Sequence, residues 1–213
     1  MQALAERGPA CNAGGVSDVT LDRVSLQPAH ERIVEAARDL FCRHGIHATG
    51  IDRILAVAGA SKMALYGRFG SKEALLREVL SREGADWRAG FFARIAMAGA
   101  DPMQQLQSVA AAMEGWYQSG RFYGCAFMNA VAEHDKSEVW LREAAAEHHG
   151  HILRFLAAVA TQAGLAEAEV VAKQILLLID GATAALMVTN DAGVLTIMDR
   201  TLSAVLNTAA RAT

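Results

Sequence analysis

"GASKMALYGRFGSKEALLREVL" (residues 59–80) contains two short serine-led segments, each behind a glycine. A serine hydroxyl accepts one of the free N–H groups at the start of a helix, and a glycine tolerates the left-handed turn that ends one. Ser61 therefore opens a very short helix, Lys62 to Arg68, which Gly70 closes. Ser71 opens the next. Ala74 leaves that second cap without a full capping box, while Glu73 still favours the positive end of the helix dipole. In the short helix Ala64, Leu65 and Phe69 can pack inward. Lys62, Met63, Tyr66, Gly67 and Arg68 remain outside, with Lys72 just beyond.

Upstream, Pro28 can begin a helix without losing a needed N–H, and Ile33, Ala37, Leu40 and Phe41 recur at helical spacing as far as Gly45. Thr49 is the expected N-cap of a second helix, with Ile51, Ile54, Leu55 and Ala58 on one face and Gly59 as its stop. Four helices thus follow closely, the middle two separated by about three residues around a glycine, which is a helix-turn-helix arrangement. A major groove roughly 12 Å wide admits one helix, whose N-terminal side chains reach base edges. Arg68 can pair with guanine, Lys62 with base or phosphate and Tyr66 with phosphate. Thr49 and Lys72 sit at helix starts, where free N–H groups favour phosphate.

Composition supports an all-α chain. Hydrophobic residues make up 53% of 213, prolines number only three, and no alternating β-branched segment suggests a strand. Residues 28–82 hold nine Lys/Arg against six acids, net +3, whereas residues 83–213 hold nine against fourteen, net −5. Only the first part is suited to a polyanion. Cys11, Cys42 and Cys125 are an odd, widely spaced set and make a poor disulfide framework, consistent with a reducing cytosol. Residues 1–27 mix Gly, Pro, Asn and Ser without an apolar run and read as a flexible arm rather than a signal peptide. The longest apolar run, Ile175 to Val188, carries Asp180 and is too short to cross a bilayer, so no membrane is expected.

Downstream, helices are predicted for residues 71–98, 103–119, 126–133, 137–163, 167–189 and 194–210, with breaks at Gly, Asp and Asn positions. The last two are apolar over more than one face and need burial by their own domain or a partner.

Residues 32–80 resemble the DNA-binding domain of TetR-family transcriptional regulators. "AARDLFCRHG", "TGIDRILAVAGAS", "LYGRF" and "SKEALL" match that family's pattern. Leu55 stands where the family often has Ala, and Gly67 replaces a common aromatic or His. The resemblance implies a palindromic double-stranded DNA operator read through Lys62, Met63, Ala64, Tyr66, Gly67 and Arg68, with Thr49 and Lys72 on phosphates. It also implies the layout of the whole chain. An arm (1–27) precedes a three-helix helix-turn-helix domain (28–82) and a helical ligand-binding and dimerisation domain (83–213). The chain is thereby identified as a cytoplasmic homodimeric repressor released by an unknown small-molecule effector. "GCAFMNAVAEH" (124–134) resembles one branch of these regulators and suits a hinge between the halves.

For the effector, large apolar residues with polar handles are the candidates. Trp87, Phe91, Met113, Trp116, Tyr117, Phe127, Met128 and Phe155 form the apolar set, with Asn129 and His151 as hydrogen-bonding partners. A ligand among Trp87, Trp116 and Phe127 would tilt the helix that begins at Lys72, expected to be the only element common to both halves. The dimer interface is expected on the last two helices, through Gly181, Ala185, Leu186, Val194, Ile197, Leu202 and Val205, with Asp180 at the rim or hydrogen-bonded. "EHHGH" (147–151) reads as a solvated face, a transition-metal site being the alternative. Cys125 reads as a small buried hydrophobe, a redox sensor being the alternative. No catalytic signature or phosphate loop supports an enzyme, and no cofactor or metal is assigned.

Overall fold

The computed structural model describes residues 27–135 and 137–211, so the proposed arm up to residue 26 and Cys11 lie outside the described residues. The described chain is helical, with a single backbone bridge between Leu165 and Arg211. The order is α1 (Ala29–His44), α2 (Ile51–Ala58), α3 (Lys62–Phe69), α4 (Lys72–Ala96), α5 (Pro102–Gln107), α6 (Val109–Tyr117), α7 (Ala126–Glu133), α8 (Val139–Gln162), α9 (Ala168–Thr189) and α10 (Gly193–Thr208).

Ser61 and Ser71 cap α3 and α4, their hydroxyls accepting from the N–H groups of Ala64 (3.2 Å) and Ala74 (3.0 Å). Gly59 closes α2 in the left-handed conformation (φ 56°), which costs a glycine little. Arg32 of α1 donates Nε to the Ala58 carbonyl (2.9 Å) and Nη2 to the Gly59 carbonyl (3.0 Å). A cation on the last carbonyls of a helix satisfies acceptors that have no partner in the helix. Arg32 therefore braces the turn that sets α3.

Thr49 is not the cap expected from the sequence. Gly50 occupies that position, and Thr49 is fully buried, its hydroxyl donating to the carbonyls of Gly45 (2.7 Å) and Leu40 (3.3 Å). The end of α1 needs donors more than the start of α2 needs an acceptor.

The single helix predicted over 103–119 is two, α5 and α6, meeting at Ser108. The apolar helix near the C-terminus is also longer than its apolar run. As α9 it has 22 residues and is long and apolar enough by length and composition to cross a membrane, and 44% of its most apolar stretch is buried within the chain. It packs mainly on α8 and α10, as a core helix of a helical domain does.

Two cores form. One gathers Phe91, Ile95, Met113, Ile152, Leu156 and Ile175. The other gathers Ile33, Ile54, Leu65 and Leu75, and it also takes in Phe127 and Ala130 of α7 and Leu141 of α8. The N-terminal core thus extends across the boundary proposed at residue 82, and α4 is not the only element common to both halves.

Candidate nucleic-acid interface and effector cavities

Leu65 fills the inward face of α3 and is fully buried, with Ala64 and Phe69 half-buried beside it. Ala64 is therefore mainly a packing residue. The outer face presents Met63, 84% exposed, Tyr66, 49% exposed, and Arg68. At Gly67 an added Cβ would meet no atom within 4 Å, so the helix is open to solvent there. Lys62 pairs with Asp52 at 2.9 Å, both side chains largely exposed, and the carboxylate raises its pKa. An exposed pair of this kind is worth roughly 0–1 kcal/mol, so a phosphate can displace the carboxylate.

Two of the proposed phosphate ligands are used inside the protein. The Thr49 hydroxyl is spent on carbonyls, as described above. The Lys72 ammonium donates to the Ile46 carbonyl at 2.6 Å, and burial lowers its pKa. Much of the basic charge of residues 28–82 is also committed internally. Arg38 of α1 pairs with Glu83 and, at 2.8 Å, with Asp86. Arg82 binds Glu31 and, at 2.7 Å, Glu78. The pairs to Glu83, Asp86 and Glu31 lock α1 against α4.

The turn between α1 and α2 is held from the other half as well. A Glu133 carboxylate oxygen, at the end of α7, accepts from the N–H groups of Ile46 (2.7 Å) and His47 (3.1 Å). The His47 ring lies 3.7 Å from the same carboxylate and 4.6 Å from the His134 ring.

The opposite end of α7 enters a cavity. Phe127 lines it together with Trp87, Trp116, Cys125, His148, His149 and Asp180. Trp87 and Trp116 meet edge-on at 5.4 Å, and His148 stacks on Phe127 at 4.3 Å. Gly84 of α4 is where the walls close. A Cβ there would come within 2.8 Å of the Phe127 ring and 2.9 Å of the Arg88 guanidinium.

The "EHHGH" run is not a solvated face. His148 is 5% exposed, its Nδ1 accepts from Arg88 Nη1 at 2.9 Å, and burial, reinforced by Arg88, holds its pKa down at about 3. It is therefore neutral. His149 pairs with Asp180 at 3.4 Å, and that bond raises its pKa. Only Glu147 and His151, 3.8 Å apart, are at the exposed edge. Among the described residues no three His, Cys, Asp or Glu side chains converge to hold a metal ion. Burial pushes up the thiols of Cys125 and Cys42, the latter to about 11, which makes both poor nucleophiles.

Of the remaining candidates, Phe91 and Met113 are fully buried in the C-terminal core, and Phe155 stacks on Phe92 at 4.0 Å. The Tyr117 hydroxyl bonds to Asn190, whose side-chain oxygen lies at 2.9 Å, and Asn129 donates to the Tyr123 carbonyl at 3.0 Å. Both serve the scaffold. Met128 lies outside the aromatic cavity. His148, His149 and Asp180 were not singled out as pocket residues, although a carboxylate within an apolar run is itself a signal for a paired or functional site.

On the proposed dimer face, Leu186 and Leu202 are each 1% exposed and belong to the chain's own core. Gly181 and Ile197 face outward, the latter 62% exposed, while Ala185, Val194 and Val205 are half-buried. Leu177 (73% exposed) and Val188 (86%) lie on the same outward stripe of α9 as Gly181 and Ala184. Consecutive apolar residues conceal helical phase, which explains the error at Leu186 and Leu202.

Residues 33–79 match the family model for "Bacterial regulatory proteins, tetR family". The whole described fold also matches a solved TetR-family regulator from Streptomyces coelicolor, SCO4454. The TM-score is 0.76 at 29% identity, over 84% of this chain and 94% of that one. Residues 33–79 therefore carry a DNA-binding domain of the TetR family. A TetR-type regulator from Streptomyces avermitilis matches with a TM-score of 0.72 at 26% identity, over 86% and 98% of the two chains. The transcriptional repressor SCO4008 of Streptomyces coelicolor is 46% identical over 55 residues, 26% of this chain and 29% of the repressor. The repressor KstR2 of Mycolicibacterium smegmatis is 34% identical over 82 residues, 38% of this chain and 40% of its own. The chain thus spans well under half the length of these two repressors.

Proposed function

We propose that this TetR-family chain is a cytoplasmic, homodimeric repressor that binds a palindromic operator and is released by a small molecule. The observation that carries the reading is α3. It is a short, serine-capped helix braced by Arg32 through the preceding turn, with one buried face and Met63, Tyr66 and Arg68 projecting from the other. Arg68 reads a base edge, and Lys62 and Tyr66 contact backbone. Two such heads in successive major grooves need centres roughly 34–36 Å apart.

The route from effector to operator runs along α7 as well as α4. Helix α7 has Phe127 in the aromatic cavity at one end and Glu133 on the α1–α2 turn at the other. The cavity has a free volume of only about 30 Å³, room for a water or two. A molecule of drug size can enter only if Phe127 or Trp116 moves. Occupancy therefore carries a conformational preference, which is what allosteric release requires. A preference of ~100-fold amounts to a coupling near 3 kcal/mol, and operator must weaken effector binding by the same factor.

Selection of bound DNA from a random pool by the purified chain tests the reading. A two-fold symmetric sequence is expected, and Arg68→Ala should relax specificity at one position per half-site, at a cost of about 1–3 kcal/mol. Recovery of no consensus, or of one that Arg68→Ala leaves unchanged in affinity and specificity, would exclude this docking.

A further inference from the structure

A second cavity lies on the other side of Phe127 and His148, between α4, α7 and α8. Its free volume is about 230 Å³, several times that of the aromatic cavity, and Ser81, Arg88, Trp140 and Glu147 are among its walls. We infer that this cleft binds a small organic acid with a planar or aliphatic apolar body, its carboxylate held by Arg88. The inference rests on reading the C-terminal half as the effector-responsive half and names the chemistry of a ligand for this cleft, distinct from the aromatic cavity.

Charge is the first argument. Arg88 is partly buried, and among the described residues no carboxylate lies within 4.0 Å of it. Its protein partner is the neutral ring of His148. A guanidinium removed from bulk water without a counter-ion is costly, and one carrying free N–H donors in a cleft is a carboxylate receptor. The other charges around the site are already compensated. Arg77 is bound to Glu73 at 2.7 Å, Glu83 to Arg38, and Asp180 to His149. Glu147 is the acid on the wall, and its side chain is 77% exposed at the rim beside His151.

The histidine is the second argument. With Nδ1 accepting from Arg88, the neutral ring carries its proton on Nε2, and no protein acceptor for that N–H occurs among the described residues. Phe127, stacked on this ring, and Trp140, held under the Arg77 guanidinium at 3.8 Å, offer flat apolar surface to the body of the acid. The cleft is walled by α4, α7 and α8, the elements of the C-terminal half that also contribute to the core of the reading head, so a ligand there bears on the packing of α7 against α4.

The test is a fluorescence titration of the full chain, with Trp140 in the cleft wall as reporter. The probes are phenylacetate, 3-phenylpropionate and octanoate, each beside its primary amide. At least one acid should bind about tenfold or more tighter than its amide, the worth of one charge-assisted hydrogen bond. Arg88→Gln should abolish that preference. Circular dichroism checks the fold of the variant, and Ala144→Phe, which places a ring in the cleft while keeping the Arg88 side chain, should block acid and amide alike. Equal binding of acid and amide, no acid bound at millimolar concentration, or a preference that survives Arg88→Gln would overturn the inference. Operator affinity measured in the same titrations separates the two readings. An acid bound in the cleft that leaves operator affinity unchanged upholds the site and refutes its place in repression.

Discussion

Lys72 and His148 show how a side chain's neighbours redefine its chemistry. On sequence alone Lys72 is a phosphate ligand at a helix start, but its ammonium is on the Ile46 carbonyl. Lys72→Ala should therefore weaken binding to every DNA sequence by loosening the α1–α2 turn, with the slope of log K against log salt unchanged. A slope reduced by about one would return the ammonium to a phosphate. His148 is neutral in the folded chain because its pKa is held at about 3, against an ordinary 6.5. The unfolded chain takes up a proton below 6.5 while the native ring does not. Its favourable share of stability is thus complete above pH 6.5 and is lost as pH falls toward 3, at roughly 1.4 kcal/mol per unit. Denaturant titrations at pH 7.5 and 5.0 should show wild type losing about 2 kcal/mol more than His148→Gln. His149, whose pKa is raised by Asp180, acts with the opposite sign in both proteins and cancels in the comparison. Identical losses would mean that His148 titrates normally.

Among the elements, α7 is the one whose importance the sequence least reveals. Its eight residues end in Glu133, and that carboxylate accepts two backbone N–H groups of the reading head. Glu133→Gln keeps an acceptor but removes the charge, which should cost about 1–2 kcal/mol. Operator affinity should fall several-fold with no change in salt slope, since no phosphate contact is lost, and effector should shift operator affinity less than in wild type. Unaltered operator affinity and unaltered effector response, measured by anisotropy, would leave α4 as the sole link. The resemblance pointed to a hinge at residues 124–134, and α7 spans most of that stretch.

For the whole molecule, the outward stripe of α9 and α10 is the candidate self-association face. Leu177, Val188 and Ile197 are exposed there with Gly181 and Ala184 between them, small enough for close helix approach. A charge placed on such a seam has no partner and is strongly destabilising. Leu177→Glu with Ile197→Glu should give a folded monomer in light scattering at micromolar concentration, with operator affinity greatly reduced because each head then binds alone. A dimer that persists in this variant would move the interface elsewhere, as would a wild-type chain that is monomeric at that concentration.

What could be read from the sequence follows from local physics. Serine caps at Ser61 and Ser71, the left-handed stop at Gly59 and the apolar spacing of α1 to α4 depend on neighbours a few residues away, so the helix-turn-helix was legible from residues 28–82. The bounds of α7 were legible for the same reason. The sites of longer reach were not. Whether Thr49 serves α2 or α1, which face of α9 is inward, and that Arg88, Phe127 and His148 meet across three helices depend on contacts between distant residues. Helical spacing reports a residue's own face and not what lies opposite it. Tertiary packing alone decided that His148 is neutral, that Lys72 is engaged and that Arg88 is left with an open donor.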